Sequence, residues 1–162
     1  MADDMTQQLH QISVSYSSEE DRLLLIIKTH NQEEYRIWLT RRYTQMLLSI
    51  LRKIMHEFGG LSDQAVSDQV QTLVKGGAFK RPLDPVTDTL PFGEDGILAY
   101  GLKTQQISPE QYAINIFSKD QHKIHFNLDR TNIVMLDDLL QQSLVKTDWN
   151  FPELRPRGEA IH

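Results

Sequence analysis

The chain has 162 residues, 40% hydrophobic and 24% charged, enough to bury a real core and too apolar for extensive disorder. Its formal charge of -5 argues against generic attachment to phosphate backbones while leaving a local basic patch open. The lack of cysteine excludes disulfides, thiol catalysis and cysteine-ligated zinc or iron–sulfur sites, and suits a reducing compartment. Met1-Ala2-Asp3-Asp4-Met5 is acidic with no apolar run after it, so no secretory signal is expected, and no stretch has the length of a membrane-spanning helix. A soluble, cytoplasmic protein without membrane contact is the expectation.

In chain order, Ile12, Val14 and Tyr16 alternate with Ser13 and Ser15, the period-two pattern of a strand with one buried face. Ser17-Ser18-Glu19-Glu20-Asp21 reads as a solvated turn. Arg22-Leu23-Leu24-Leu25-Ile26-Ile27 is apolar on both parities, as in a strand covered on both faces. His30-Asn31-Gln32 reverses the chain into a third strand, Glu34 to Leu39. A tight antiparallel hairpin sets Leu25 opposite Ile37 and Leu23 opposite Leu39 on one face, with Leu24 opposite Trp38 on the other.

Thr40 is placed to cap a helix, because its hydroxyl can accept from a free first-turn amide. Tyr43, Met46, Leu47, Ile50, Leu51, Ile54 and Phe58 then recur at steps of three and four, an apolar stripe that reads as core. Gly59-Gly60 ends the helix. A short polar helix follows from Ser62, with Leu61 and Val66 as a hydrophobic staple, and closes by Gly76-Gly77. Ala78 to Gly96 carries Pro82, Pro85 and Pro91 interleaved with Phe79, Leu83, Val86, Leu90 and Phe92. That is too much proline for regular structure and too many apolar residues for a free linker, so an ordered strap is expected. Beyond it come a strand at Ile97 to Leu102, a turn at Ser108-Pro109-Glu110, strands at Gln111 to Phe117 and Lys123 to Leu128, and a helix from Asp129 to about Val145.

The second half repeats the first without a gap at an offset of 89, the difference between Leu128 and Leu39. Ile27 matches Ile116, Gln32 matches Gln121, Arg41 matches Arg130, Met46 matches Met135, Leu47 matches Leu136 and Leu51 matches Leu140. Thr40 becomes Asp129, one N-capping residue for another, and the inward triplet Tyr35, Ile37, Leu39 becomes Ile124, Phe126, Leu128. The fold class read from this is α+β, two tandem strand-strand-strand-helix repeats packed as a pseudo-twofold antiparallel sheet and helix domain. One domain spans 1–162: repeat one at 9–60, a connecting helix and proline-rich strap at 61–96, repeat two at 97–149, and a frayed tail at 150–162.

The copies differ on the face turned away from the helix, where Leu24, Ile26 and Trp38 become Ala113, Asn115 and Asn127. The first repeat thus carries an apolar patch that is covered by the connecting helix, by the strap or by a partner. Arg41-Arg42 places two cations in the first turn of a helix, where the backbone dipole favours anions. Either they fold back onto carboxylates such as Glu33, Glu34 or Asp129, or they form an anion site with the helix amides. With Arg36 and Trp38, the same corner could stack and neutralise a single-stranded nucleic acid.

Nothing in the sequence names a reaction. His122 and His125 stand three apart on an expected strand and face opposite ways, so they cannot share a metal ion. His56-Glu57 lacks the second histidine of a zinc-protease helix, and no phosphate loop or nucleophile elbow is present. Glu19-Glu20-Asp21 is a poor calcium site without further ligands. No cofactor or metal is expected, and no catalytic residue is assigned.

Asp21-Arg22-Leu23-Leu24-Leu25 followed by Trp38-Leu39-Thr40-Arg41-Arg42 resembles a family of conserved bacterial proteins without assigned function. That family also has a proline-containing middle and a second strand-strand-helix unit ending near an aspartate-tryptophan pair, here Asp148-Trp149. In plan alone the tandem repeats are similar to the PUR-repeat single-strand binders and the Whirly architecture, which have four strands per unit where three are legible here. The function expected first is a non-enzymatic interaction or assembly module, binding a protein partner or a second copy through Leu24, Ile26 and Trp38. The alternative is single-stranded nucleic-acid binding through Arg36, Trp38, Arg41 and Arg42, which the acidic charge disfavours.

Overall fold

The structure, a computed structural model, describes residues 9–57 and 89–151. Phe58, the Gly59-Gly60 stop, the helix expected from Ser62, most of the proline strap and the chain past Phe151 lie outside the described residues.

Three strands open the fold: β1 (Leu9–Ser17), β2 (Arg22–Thr29) and β3 (Glu34–Leu39). They pair antiparallel, with Leu23 opposite Leu39, Leu24 opposite Trp38 and Leu25 opposite Ile37, the register expected from the sequence. Thr40 caps helix α1 (Arg41–Glu57), its Oγ1 accepting from the Tyr43 amide at 3.1 Å. After the strap come β4 (Ile97–Leu98), β5 (Gly101–Ser108), β6 (Gln111–Phe117), β7 (Lys123–Asp129) and α2 (Arg130–Leu144). Asp129 caps α2, accepting from the Asn132 amide at 2.9 Å.

The two repeats share their backbone detail as well as their order. Gln32 and Gln121, related by the offset of 89, both take positive φ, at 62° and 74°. The Thr29 amide donates to Glu33 O at 3.0 Å, and the matching Ser118 amide donates to His122 O at 3.0 Å. The helices also reach across reciprocally. Tyr43 of α1 donates its hydroxyl to Gly101 O on β5 at 2.9 Å, while Ser143 of α2 donates to Val14 O on β1 at 3.3 Å. Buried side chains of both repeats form one core cluster, in which Leu23, Ile37, Leu39, Leu48 and Leu51 meet Leu128, Ile133 and Leu140. At about 1.5–3 kcal/mol for each fully buried aliphatic or aromatic side chain, this shared core is the main favourable term holding the halves together.

Four expectations change. The strand expected at Ile97 to Leu102 is two strands in two sheets: Ile97 and Leu98 pair parallel to β3, and from Gly101 the chain pairs with β6. Its apolar run looked continuous because both pieces feed one core. On α1 the buried arc takes in Thr44 and Leu48, while Met46 is 38% exposed. The helix is buried from two sides, by its own sheet and by α2, so the single stripe widens and Met46 falls outside it. Phe151, placed in a frayed tail, is buried against Trp149, whose ring centroid lies 6.0 Å away. His122 lies in the turn before β7.

The sequence also hides a buried ion pair. Lys28 and Glu34, opposite one another on β2 and β3, are each 1% exposed and 3.3 Å apart, and Arg36 Nε reaches the other Glu34 oxygen at 2.7 Å. In the second repeat these positions are Phe117 and Lys123, so the first sheet takes a polar route where the second uses an aromatic ring.

Gly96 lets the strap close on β3. Its φ is +74°, and a Cβ there would stand 2.5 Å from Arg36 O. Gly93 also has positive φ, at +79°, but open space around it. Left-handed backbone alone costs a non-glycine residue about 1–2 kcal/mol. In urea unfolding, Gly93→Ala should lose about that much and Gly96→Ala clearly more, because it adds a collision with β3; equal losses would mean the strap tolerates a shift.

Candidate functional site

Strand register assembles the outer face of the first sheet. Ser15 pairs with Leu24, Leu24 with Trp38, and Trp38 with Leu98, so three large apolar side chains from β2, β3 and β4 stand in one cross-strand row. Ile26 and Arg36 form the next row. Leu24, Ile26 and Trp38 are half-buried and Leu98 is 41% exposed. The acidic side chains Glu20, Glu94 and Asp95 border a shallow depression of about 380 Å³ over this face. Two main-chain carbonyls of the strap hold it: Trp38 Nε1 donates to Asp95 O at 2.9 Å and Arg36 donates to Glu94 O at 2.8 Å.

The candidate residues therefore divide into three groups. Leu24, Ile26, Arg36 and Trp38 share the depression. Arg41 stands elsewhere, 3.6 Å from Asp21 and 5.8 Å from the Trp149 ring centre. Arg42 lines a larger groove of about 1130 Å³ between the first turns of α1, the end of the strap and the β6–β7 turn. No local periodicity reveals Leu98, because its own strand is two residues long and pairs parallel with β3.

The paired arginines are a repeated structural device. Arg41 meets Asp21, and Arg130 meets Glu110 at 3.3 Å; both members of the second pair stand 89 positions after those of the first. In each repeat the first helical turn is tied to the residue just before the central strand. Carboxylates thus answer Arg41 and Arg130, with Asp21 and Glu110 in place of Glu33, Glu34 and Asp129, while Arg36 takes Glu34.

Asp21 carries more than its arginine. Tyr16 Oη and Trp149 Nε1 both donate to its Oδ1, each at 2.8 Å, and the Trp149 ring meets Tyr16 edge-on at 5.9 Å. These two hydrogen bonds, Tyr16 first, hold the Asp21 carboxyl below the usual carboxylate range, and the same bond pushes the Tyr16 hydroxyl up. The cluster fastens the segment after α2 onto the first hairpin.

The larger groove contains an arrangement of the kind that catalytic chemistry uses. The Ser118 hydroxyl is hydrogen-bonded to Asp120 Oδ1, His122 Nδ1 lies 3.1 Å from that same oxygen, and the His122 amide donates to Ser118 Oγ at 3.1 Å. Nucleophile activation requires the histidine to take the hydroxyl proton. Here the serine and the histidine both turn to the aspartate, whose carboxyl is held low by Ser118 and then His122. The same turn in repeat one uses Thr29 Oγ1 and the Asn31 amide, 3.3 Å apart, so this is turn chemistry. Phe92 fills the space between repeats, its ring 5.0 Å from Tyr35 and 5.4 Å from His122. Among the described residues no group of three His, Asp or Glu side chains is placed to hold a metal ion, and no helix is long and apolar enough to cross a membrane.

No family model, curated protein or solved structure matches this chain.

Because the Asp21 carboxyl is more acidic in the folded protein than in the unfolded chain, its contribution to stability is present above the ordinary carboxylate range and is lost as pH falls through the depressed value. Thermal unfolding followed from about pH 5 to about pH 3 should therefore decline less steeply for Asp21→Asn than for the parent chain. Parallel slopes would show that Asp21 is not fastening the Trp149 segment.

Proposed function

We propose that this chain is a non-enzymatic interaction module that docks a protein partner on the outer face of its first sheet. The observation that carries the reading is the apolar row of Leu24, Trp38 and Leu98, flanked by Ile26 and bordered by Glu20, Glu94 and Asp95. A tryptophan at the centre of an apolar strip with a polar rim is the composition of an interface hot spot. The equivalent positions Ala113, Asn115 and Asn127 lack this character, and Asn115 is occupied with His125, its Oδ1 2.7 Å from Nδ1. The difference lies on a surface that both scaffolds tolerate, so the scaffold alone does not account for it.

The rim chooses the class of partner. Arg36 shares buried Glu34 with Lys28, Arg41 meets Asp21 and Glu20 meets Arg22 at 3.6 Å, so Glu94 and Asp95 stand as the carboxylates of the strip's rim. A segment combining apolar side chains with lysine or arginine matches that pattern, whereas a single-stranded nucleic acid would bring phosphates against Glu20, Glu94 and Asp95.

The two readings separate in one titration. A model peptide of alternating lysine and leucine should bind and shift Trp38 emission in the parent chain, and Trp38→Ala, followed by calorimetry, should weaken the binding by about tenfold or more. Leu98→Asp should abolish the shift without changing thermal stability, since that side chain is already 41% exposed. Binding of a short oligonucleotide with a steep salt dependence, and none of the peptide, would replace this reading with the nucleic-acid one.

A further inference from the structure

The open edges of the two sheets are treated differently. On β1, the carbonyl of Val14 is taken by Ser143 of α2. On β5, the ladder shifts register between Gln106 and Ser108, a bulge that spoils the end of the edge beside the turn. On β3, the Glu34 amide donates to Thr89 O at 2.8 Å and Trp38 O accepts from Ala99 N at 2.9 Å, so strap and β4 cover the edge.

The counterpart of β3 is β7, which pairs with β6 alone among the described residues. The bond from the Ser118 amide to His122 O makes that pair a hydrogen-bonded one. Main-chain groups in an antiparallel ladder alternate, so those of Lys123, His125 and Asn127 point away from β6. Lys123 and Asn127 stand where Glu34 and Trp38 stand in repeat one, yet no described residue meets the Lys123 amide or the Asn127 carbonyl. The strand has neither proline nor a register shift to protect it.

Its side chains are self-complementary. The strand reads Lys-Ile-His-Phe-Asn-Leu-Asp, with exposed Lys123 at one end, exposed Asp129 at the other and Phe126 at the centre. We propose that two copies of the chain join antiparallel along β7 about Phe126, merging two three-stranded sheets into one six-stranded sheet. Lys123 then faces the second copy's Asp129 at both ends, and His125 faces the second copy's Asn127. This register brings outward amides against outward carbonyls, and it keeps Ile124, Phe126 and Leu128 on the core face. The contact is isologous and closes on itself, so it gives a dimer and no fibre. It leaves the Leu24, Trp38 and Leu98 row open, and is independent of what docks there.

Sedimentation velocity of the full chain over a micromolar concentration series tests this. The parent chain should sediment as a dimer. Lys123→Glu sets like charges opposite at both ends and should raise the dissociation constant by about tenfold or more. His125→Pro removes an outward amide while sparing the ladder to β6, a position where an edge strand accepts proline, and should give a monomer with unchanged far-UV circular dichroism. If His125→Pro does not fold, the exposed Lys123→Glu carries the test. A monomeric parent chain, or a dimer that both variants form as tightly as the parent, overturns the proposal. Leu98→Asp should leave the dimer intact, so loss of docking and loss of pairing are read separately.

Discussion

Two consecutive amides hold the halves of this molecule in their relation. The Ala99 amide donates to Trp38 O in the first sheet at 2.9 Å, and the next one, that of Tyr100, donates to Phe117 O in the second at 2.7 Å. One short stretch of chain is thus the last strand of one sheet and the approach to the first strand of the other. Neither sheet can shift against its neighbour without breaking a main-chain hydrogen bond, and the one from buried Ala99 is costly to leave unmade. Gly96 permits this by bringing the backbone against Arg36 O where no side chain fits. Reciprocal helix contacts and the shared core act on the same placement of the two halves.

The same crossing makes the candidate surface. Because Leu98 lands beside Trp38, an apolar pair on a hairpin becomes a row of three, and because the strap then runs over the face, Glu94 and Asp95 become its acidic rim. In repeat two no described strand lies in that position, so β7 has no neighbour beyond β6 among the described residues, and the outer face of that repeat carries Ala113, Asn115 and Asn127 instead. Duplication has therefore given one scaffold two unlike surfaces. Features shared by both copies, such as Arg41 with Asp21 and Arg130 with Glu110, read as scaffold, and the differences point to function.

Much of this was legible locally. The Leu24 and Trp38 pairing, the caps Thr40 and Asp129, and the turn at Gln32 with its copy at Gln121 each depend on a few neighbouring residues whose chemistry dictates the geometry. The offset of 89 then joined them, since a duplicated unit repeats its local rules. Period-based reading failed where an element is buried from two sides. Thr44 and Leu48 on α1 are covered by partners that no helical wheel contains, and Met46 is left out.

The strand-strand-strand-helix unit and its repetition are written in local rules, because periodicity, capping and turn chemistry act within a few residues. Packing of the two halves is what divides Ile97 to Leu102 between two sheets, selects the carboxylates that answer Arg36, Arg41 and Arg130, and leaves β7 with one neighbour among the described residues. Those outcomes depend on groups far apart in the chain, such as Arg36 with Glu94 and Trp149 with Asp21, whose meeting no local pattern encodes. They arise only once burial of the common core has brought the two copies together.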